Sequence, residues 1–436
     1  MHAVHERPTS IFAQRLKIHM LKSPYVKARM SQVFSLYASM FVVMLSGVGV
    51  SVVNTRFLGP EQFGDLKFLQ SFFGFFVSVS TLGVFFAGGR LVAITNSTLR
   101  RRELYGGLIL ISLFISIVLG FTLFIFSYIE ERLFQNGLGV LIRIFAPLTI
   151  VFPFQICLEK VLQGENRIHE LSIFKIEPSL FYLFCAVFYN HLSGLDLKSA
   201  FFLYFLCHGV AVVVHIINFR ARFGHLKESL KIIVSETKSF GFPVYTGMLF
   251  NVSSIYVASI LIGYFLDTKQ VGYFALASTI TMPLTLIPGA VGIVLYKDFS
   301  KLNSIPQKST VFVMLLSIVC LLLFLVFIEP LIRLLYSNTF LISASLAKIM
   351  SAGCIMHGIG DYFNKFIGAR GFGVYLRNSA IVVGTANILG FFILVYAFGT
   401  WGAAVTRLIS GGLYLTLMLH SYNKAVSAFD EHQPET

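Results

Sequence analysis

Between residues 33 and 421 the chain is built from apolar runs of about 20 residues, separated by short polar links. A hydrocarbon core about 30 Å thick is crossed by a helix of roughly that length. Repeated that often, such runs cannot all hide inside a soluble core. The hydropathy pattern predicts spans near 33–55, 68–88, 106–128, 139–158, 171–190, 199–219, 241–266, 272–296, 310–329, 345–369, 378–398 and 401–421. With 56% of its 436 residues hydrophobic and 12% charged, little mass remains for a water-soluble domain. The bias toward Phe (46) over Trp (1) also fits lipid-facing surface. The expected fold is an all-α integral membrane protein of about twelve helices, which excludes most soluble enzymes and DNA-binding modules.

The formal charge of +14 would suggest nucleic acid in a soluble chain, but its distribution points to topology. Lys and Arg before the first span, after the even-numbered spans and after the last number 23, from Arg7 and Arg15 through Arg100–Arg101–Arg102, Arg220, Lys238, Lys301 and Arg377 to Lys424. The other links hold seven: Arg56, Lys67, Arg132, Lys198, Lys269, Arg333 and Lys348. Cytoplasmic loops collect Lys and Arg, so both termini are expected in the cytoplasm and no nucleic-acid partner is required. Residues 1–32 read as a basic leader, either solvated or lying on anionic lipid through Ile11, Phe12, Leu16, Ile18 and Leu21. They lack the small-residue cleavage pattern of a signal peptide. Five cysteines (157, 185, 207, 320, 354) fall inside spans with neither pairing nor metal spacing and read as small apolar residues.

An internal repeat divides the chain. Phe57-Leu58-Gly59-Pro60-Glu61-Gln62-Phe63-Gly64 follows the first span, and Phe265-Leu266-Asp267-Thr268-Lys269-Gln270-Val271-Gly272 follows the seventh. Phe, Leu, Gln and Gly coincide at an offset of 208 residues, at the same place in each half. Six spans per half preserve orientation, so the halves are expected to be parallel repeats with substrate bound between them. The expected organisation is a leader at 1–32, an N-lobe at 33–219, a basic linker at 220–240, a C-lobe at 241–421 and a tail at 422–436. The link after the second span holds no Asp, unlike the acidic-basic signature of major-facilitator carriers, and no phosphate-binding loop for ATP is present. Links on the sparsely charged side are too short for the catalytic loops of membrane glycosyltransferases, so a carrier is expected rather than an enzyme, with no cofactor.

The stretch Arg56-Phe57-Leu58-Gly59-Pro60-Glu61-Gln62-Phe63-Gly64 resembles the motif after the first helix of polysaccharide repeat-unit (O-antigen, Wzx-type) flippases. Gln270-Val271-Gly272-Tyr273-Phe274-Ala275-Leu276-Ala277 resembles its counterpart in their second half. These flippases belong to the multidrug/oligosaccharidyl-lipid/polysaccharide exporter superfamily, whose MATE-like fold has two six-helix lobes. The resemblance implies translocation of undecaprenyl-pyrophosphate-linked oligosaccharide across a bacterial inner membrane by alternating access, for lipopolysaccharide or a related surface polymer. It further implies a polysaccharide polymerase and a chain-length regulator as partners, beside membrane lipid. A cation-driven multidrug exporter and a lipid II flippase share the superfamily. The first would want an acid in the first span, and 33–55 has none. A membrane scaffold without transport is disfavoured by the charges inside the spans.

Ionisable groups inside a membrane are functional candidates by default. The cations are Arg143, Lys175, Lys365 and Arg407, and the deep acids Glu177 and Asp361. Four cations lining a path would offset the desolvation of a pyrophosphate, with Arg able to fork onto two oxygens. The alternative for each is snorkelling to the interface. His357, Asp361 and Lys365 stand at i, i+4 and i+8 on one face, forming either a proton-coupled stripe or a structural ion pair. Glu177, before Pro178 in the fifth span, is a further coupling candidate beside a proline that disrupts its helix ladder. His208 and His215 share a face without a spaced set of carboxylates or thiols to complete a ligand shell, so no metal site is expected. Tyr245, Asn251, Ser253, Ser254 and Tyr256 supply polar groups for sugar hydroxyls in the seventh span.

Overall fold

A computed structural model describes residues 24–430, without the side chains of 24–38, 40, 250–255, 297 and 428–430. Most of the basic leader (1–23) and the end of the tail (431–436) lie outside the described residues. The described chain is helical and contains no strand. In order it comprises α1 (Pro24–Ser80), α2 (Val84–Ile94), α3 (Thr98–Phe134), α4 (Gly139–Phe145), α5 (Val151–Gly164), α6 (Ile168–Ser193) and α7 (Leu197–Asn218). Then follow α8 (Leu226–Glu236), α9 (Phe242–Phe265), α10 (Thr268–Val294), α11 (Tyr296–Phe299), α12 (Gln307–Leu335), α13 (Leu341–Ala369) and α14 (Gly373–Asp430). Nine helices among the described residues are long and apolar enough to cross a membrane. Two of the nine are each broken into two at a glycine, Gly59 and Gly399. Together with the 24-residue α9 this makes the chain a multi-pass membrane protein with twelve crossing segments.

The caps explain several boundaries. Ser97 accepts the Arg100 N–H at the start of α3, and Asp267 accepts the Gln270 N–H at 2.8 Å at the start of α10. At α7, Asp196 accepts the Ser199 N–H at 2.9 Å while the Ser199 hydroxyl accepts the Asp196 N–H, a reciprocal cap. Ser199 also holds the Asp196 carboxyl below its ordinary range.

The largest departure from the hydropathy pattern is at the second span. Gly59 has φ +70°, which glycine alone adopts without strain, and Pro60 suits the first turn of the helix that follows. That helix therefore begins at residue 60 and carries Glu61, Gln62, Asp65 and Lys67 inside it, whereas the apolar window starts only at 68. It ends at Ser80, and α2 completes the crossing after a short turn. The predicted linker at 220–240 is also structured. It holds α8, whose Ile233 packs on Gly107 of α3, and Arg100–Glu228 (2.7 Å) and Arg90–Glu236 pairs strap α8 to the N-terminal half. The chain then passes through a π-helical turn, Thr237–Gly241, into α9.

Three apolar cores define the arrangement. One takes side chains from both halves, including Phe63, Phe68 and Phe201 with Leu276, Phe340 and Phe391. It surrounds the links that carry few cations. The second belongs to the N-terminal half and α8, and the third to the C-terminal half alone, around Phe299, Tyr362 and Met418. These two lie at the basic end. The halves thus share one core at the sparsely charged end, while at the basic end they keep separate cores and touch where Gly83 meets Gly241 and Tyr245 meets Val79.

Candidate functional site

In the N-terminal half, beside α9 of the other half, a cavity of about 450 Å³ is lined by one face of the 60–80 helix: Lys67, Gln70, Ser71, Gly74, Val77 and Ser78. This i, i+3/i+4, i+7 spacing is that of a single helical stripe. Phe68, Phe72 and Phe76 stand on another face and pack against Phe126 and Phe134 of α3. The remaining walls are Phe152, Gln155 and Ile156 of α5, Tyr204 and His208 of α7, and Tyr256 of α9. Tyr256 lies so close to Gly74 that a Cβ there would stand 2.5 Å from its ring. The glycine is the space that lets the two helices approach.

The chemistry of this wall is cationic, amide, hydroxyl and aromatic. Lys67 Nζ donates to Gln70 Oε1 at 3.0 Å and has no carboxylate within 4 Å among the described residues. No Asp or Glu lines the cavity. His208 packs on Tyr204 with ring centroids 4.4 Å apart and on Phe152 at 6.0 Å, and its Nδ1 bonds the Tyr204 carbonyl at 2.8 Å. The arrangement can take an anionic group at Lys67 and stack sugar faces on the rings, with Gln70, Gln155, Ser71 and Ser78 for hydroxyls.

The cations expected from sequence lie elsewhere. Arg143 of α4 pairs with Glu131 at 2.5 Å and stacks on Tyr128, near the sparsely charged end. Lys175 of α6 lies 3.8 Å from Glu159. Arg407 sits over the ring of Phe391 in α14, inside the C-terminal half. Lys365 pairs with Asp361 at 3.3 Å. None of the four lines the 450 Å³ cavity. The acids and histidines are similarly placed. Asp361 faces Gly289 of α10, and His357 stacks on Tyr414 at 4.2 Å. The stripe 357–361–365 thus holds one ion pair, Asp361–Lys365, and one stacked histidine. Glu177 lies 3.5 Å from His215 Nδ1, and α6 runs through Pro178 as a continuous helix. His208 and His215 turn to different neighbours, the cavity rings and Glu177. Of the seventh-span polar residues, Tyr256 lines the cavity and Tyr245 donates to the Val79 carbonyl at 2.8 Å. Asn251, Ser253 and Ser254 have side chains outside the described residues.

Lys67 is the residue that hydropathy missed, because it stands one position outside the apolar window. The signal was present in Gly59-Pro60, which starts the helix two turns earlier and carries Lys67 inside it.

The twin repeat motifs meet at the joined end. A Cβ on Gly64 would lie 2.0 Å from the Thr268 carbonyl oxygen, and one on Gly272 would touch Gly64 Cα at 3.0 Å. Asp65 accepts the Thr268 hydroxyl at 2.5 Å, and Arg56 donates to the carbonyls of Leu334 (2.5 Å) and Leu335 (2.7 Å) at the end of α12. The matching glutamines do matching work. Gln62 Oε1 accepts the Leu197 N–H at the start of α7, and Gln270 Oε1 accepts the Thr400 hydroxyl after the Gly399 break, both at 3.1 Å.

Solved structures share this fold along nearly the whole chain. A lipid II flippase MurJ in an inward closed conformation aligns with a TM-score of 0.72 at 14% identity, covering 92% of this chain and 93% of that one. An inward-facing multidrug resistance MATE family transporter of the MOP superfamily aligns with 0.67 at 15% identity, covering 92% and 100%. The MATE multidrug transporter DinF-BH aligns with 0.62 at 16% identity, covering 92% and 97%. These likenesses establish a MATE-like fold of two lobes. No curated protein matches the chain in sequence. The family model described as polysaccharide biosynthesis protein matches residues 30–303, well over half of the chain. The chain is therefore a member of the polysaccharide biosynthesis protein family.

Proposed function

We propose that the protein is a flippase that carries undecaprenyl-pyrophosphate-linked oligosaccharide repeat units across the bacterial inner membrane by alternating access. The observation that carries this is the cavity wall, where Lys67 has no carboxylate within 4 Å among the described residues and no Asp or Glu is among the lining side chains. A pyrophosphate drawn into a site of low dielectric needs such a cation, and a carrier of cationic drugs would need the opposite sign. The rings of Tyr204, His208, Phe152 and Tyr256, beside two glutamines, suit the sugars of the same cargo. Positive charge concentrated on one set of links assigns the basic end to the cytoplasm, with both termini there. The family match favours surface polysaccharide, O-antigen or a related polymer, as the product. Polymerase and chain-length regulator are the expected partners on the far side.

A second cargo, lipid II, is favoured by the MurJ likeness and shares the lipid pyrophosphate. One strain distinguishes the cargoes. In cells lacking this protein, single-repeat glycolipid should accumulate and surface polysaccharide should fall, with rescue by the intact gene. Accumulation of lipid II with normal polysaccharide assigns the second cargo. Normal glycolipids with sensitivity to cationic dyes assign a drug exporter and refute the proposal. At matched expression Lys67→Gln should lower translocation by about tenfold or more, the worth of a lost charge-assisted contact. Arg101→Gln, outside the cavity, should stay near wild type.

A further inference from the structure

Glu130 stands in the last turns of α3 and is fully buried, and neither carboxyl oxygen has a hydrogen-bond partner among the described residues. It shares a helix face with Phe126 and Phe134, four residues away on either side. Those rings pack on Phe72 of the 60–80 helix, and Phe134 also meets Tyr264 of α9 at 5.7 Å. Glu130 therefore lies between the two rings by which the end of α3 packs on the 60–80 helix, one turn from Phe134, which meets α9 across the seam at the sparsely charged end.

No counter-charge reaches it. Asn136, whose amide nitrogen is also buried and unpartnered, is the polar neighbour beside it, and Glu131 next to it is occupied by Arg143 of α4. On the 60–80 helix Lys67 turns to Gln70 and Asp65 to Thr268, while α9 presents the ring of Tyr264. An ionised carboxylate without a counter-charge is expensive to bury. The other acids singled out inside the spans each have a basic side chain nearby: Lys365 lies 3.3 Å from Asp361, and His215 Nδ1 lies 3.5 Å from Glu177 Oε2, although that oxygen too is buried without a hydrogen bond among the described residues.

We propose that Glu130 is a proton-binding carboxyl of the transport cycle. When the seam is open the carboxylate takes a proton from the compartment outside the sparsely charged end, and only the neutral acid is buried when the seam closes. Acidifying that compartment therefore speeds the closing step. This rests on the transport reading, and the test separates the two.

The full chain is reconstituted in liposomes with labelled undecaprenyl-pyrophosphate oligosaccharide, and translocation is compared at two pH values on the sparse side. One pH unit biases a one-proton step by up to about tenfold. Wild type should respond, Glu130→Gln should give the same rate at both pH values, and Glu130→Asp should keep a response. A Glu130→Gln protein with the wild-type pH ratio, even if slower throughout, overturns the proposal. So does a wild type that follows a sodium gradient and ignores pH. If wild type moves no glycolipid, the transport reading fails by itself. The infrared carboxylic-acid band in proteoliposomes then decides Glu130: present in wild type and missing from Glu130→Gln supports its proton, and absent from both refutes it.

Discussion

The two ends of the molecule are held by different physics. At the sparsely charged end the halves share one apolar core, and the backbones at Gly64 and Thr268 approach so closely that no side chain fits between them. At the basic end each half closes its own core, the halves' backbones come together at one point, Gly83 with Gly241, and the other ties include half-exposed ion pairs such as Arg100–Glu228 that bind the linker to one half. Close packing is short-ranged and unforgiving, whereas a solvated ion pair tolerates movement at little cost. The alternating access proposed above would need both kinds of bond, a tolerant one where the halves stay attached and a close-packed one where they seal.

Substitutions at the two ends should separate these contributions. Gly64→Val should have the largest effect, because its Cβ would meet the Thr268 carbonyl at 2.0 Å. Overpacking of that kind should disfavour the closed seam by about 3 kcal/mol, roughly a hundredfold in population. Labelling of an Asn54→Cys reporter, fully buried at that end, by an impermeant maleimide would read it. Gly47→Ala, with open space around it, is the control and should leave labelling unchanged. Normal closure in Gly64→Val would erase the contrast.

Arg56→Gln removes charged donors from the Leu334 and Leu335 carbonyls and should shift the same labelling by about 1–2 kcal/mol toward open. Asp196→Ala removes a reciprocal cap without touching the seam, so it should lower the thermal midpoint in detergent by the equivalent of about 1 kcal/mol and leave labelling alone. Ser199 lowers the Asp196 pKa, so the cap's contribution is complete above the ordinary carboxylate range. It fades only as pH falls through the lowered value. Glu228→Gln at the basic end should change stability by less than about 1 kcal/mol, and a larger loss would mean that the strap is structural.

Much of the architecture was legible from the chain. Twelve crossing segments follow from hydropathy, because lipid leaves backbone polar groups no partner except their own helix. The repeat at 208 residues located the two strips that meet at the joined end, since the same glycine serves the same close approach in each half. The site was legible only in part. The expectation of cavity cations rested on Arg143, Lys175, Lys365 and Arg407, while the cavity wall carries Lys67.

The reason is physical. Hydropathy measures transfer into lipid, and it is blind to Asp65 turning to Thr268 in the seam and Lys67 to Gln70 in the cavity, while Glu61 stays exposed 3.7 Å from Lys269. A polar residue inside a protein seam and one in a loop look alike to a window of composition. The order of residues alone dictates what must be helix, which end is positively charged and that the chain repeats. Which charges are neutralised, as Arg143 is by Glu131, and which stand without a counter-charge, as Lys67 and Glu130 do, depends on how the helices pack. Partners far apart in sequence meet only through that packing, and their meeting sets the free energy of a charge in a low dielectric.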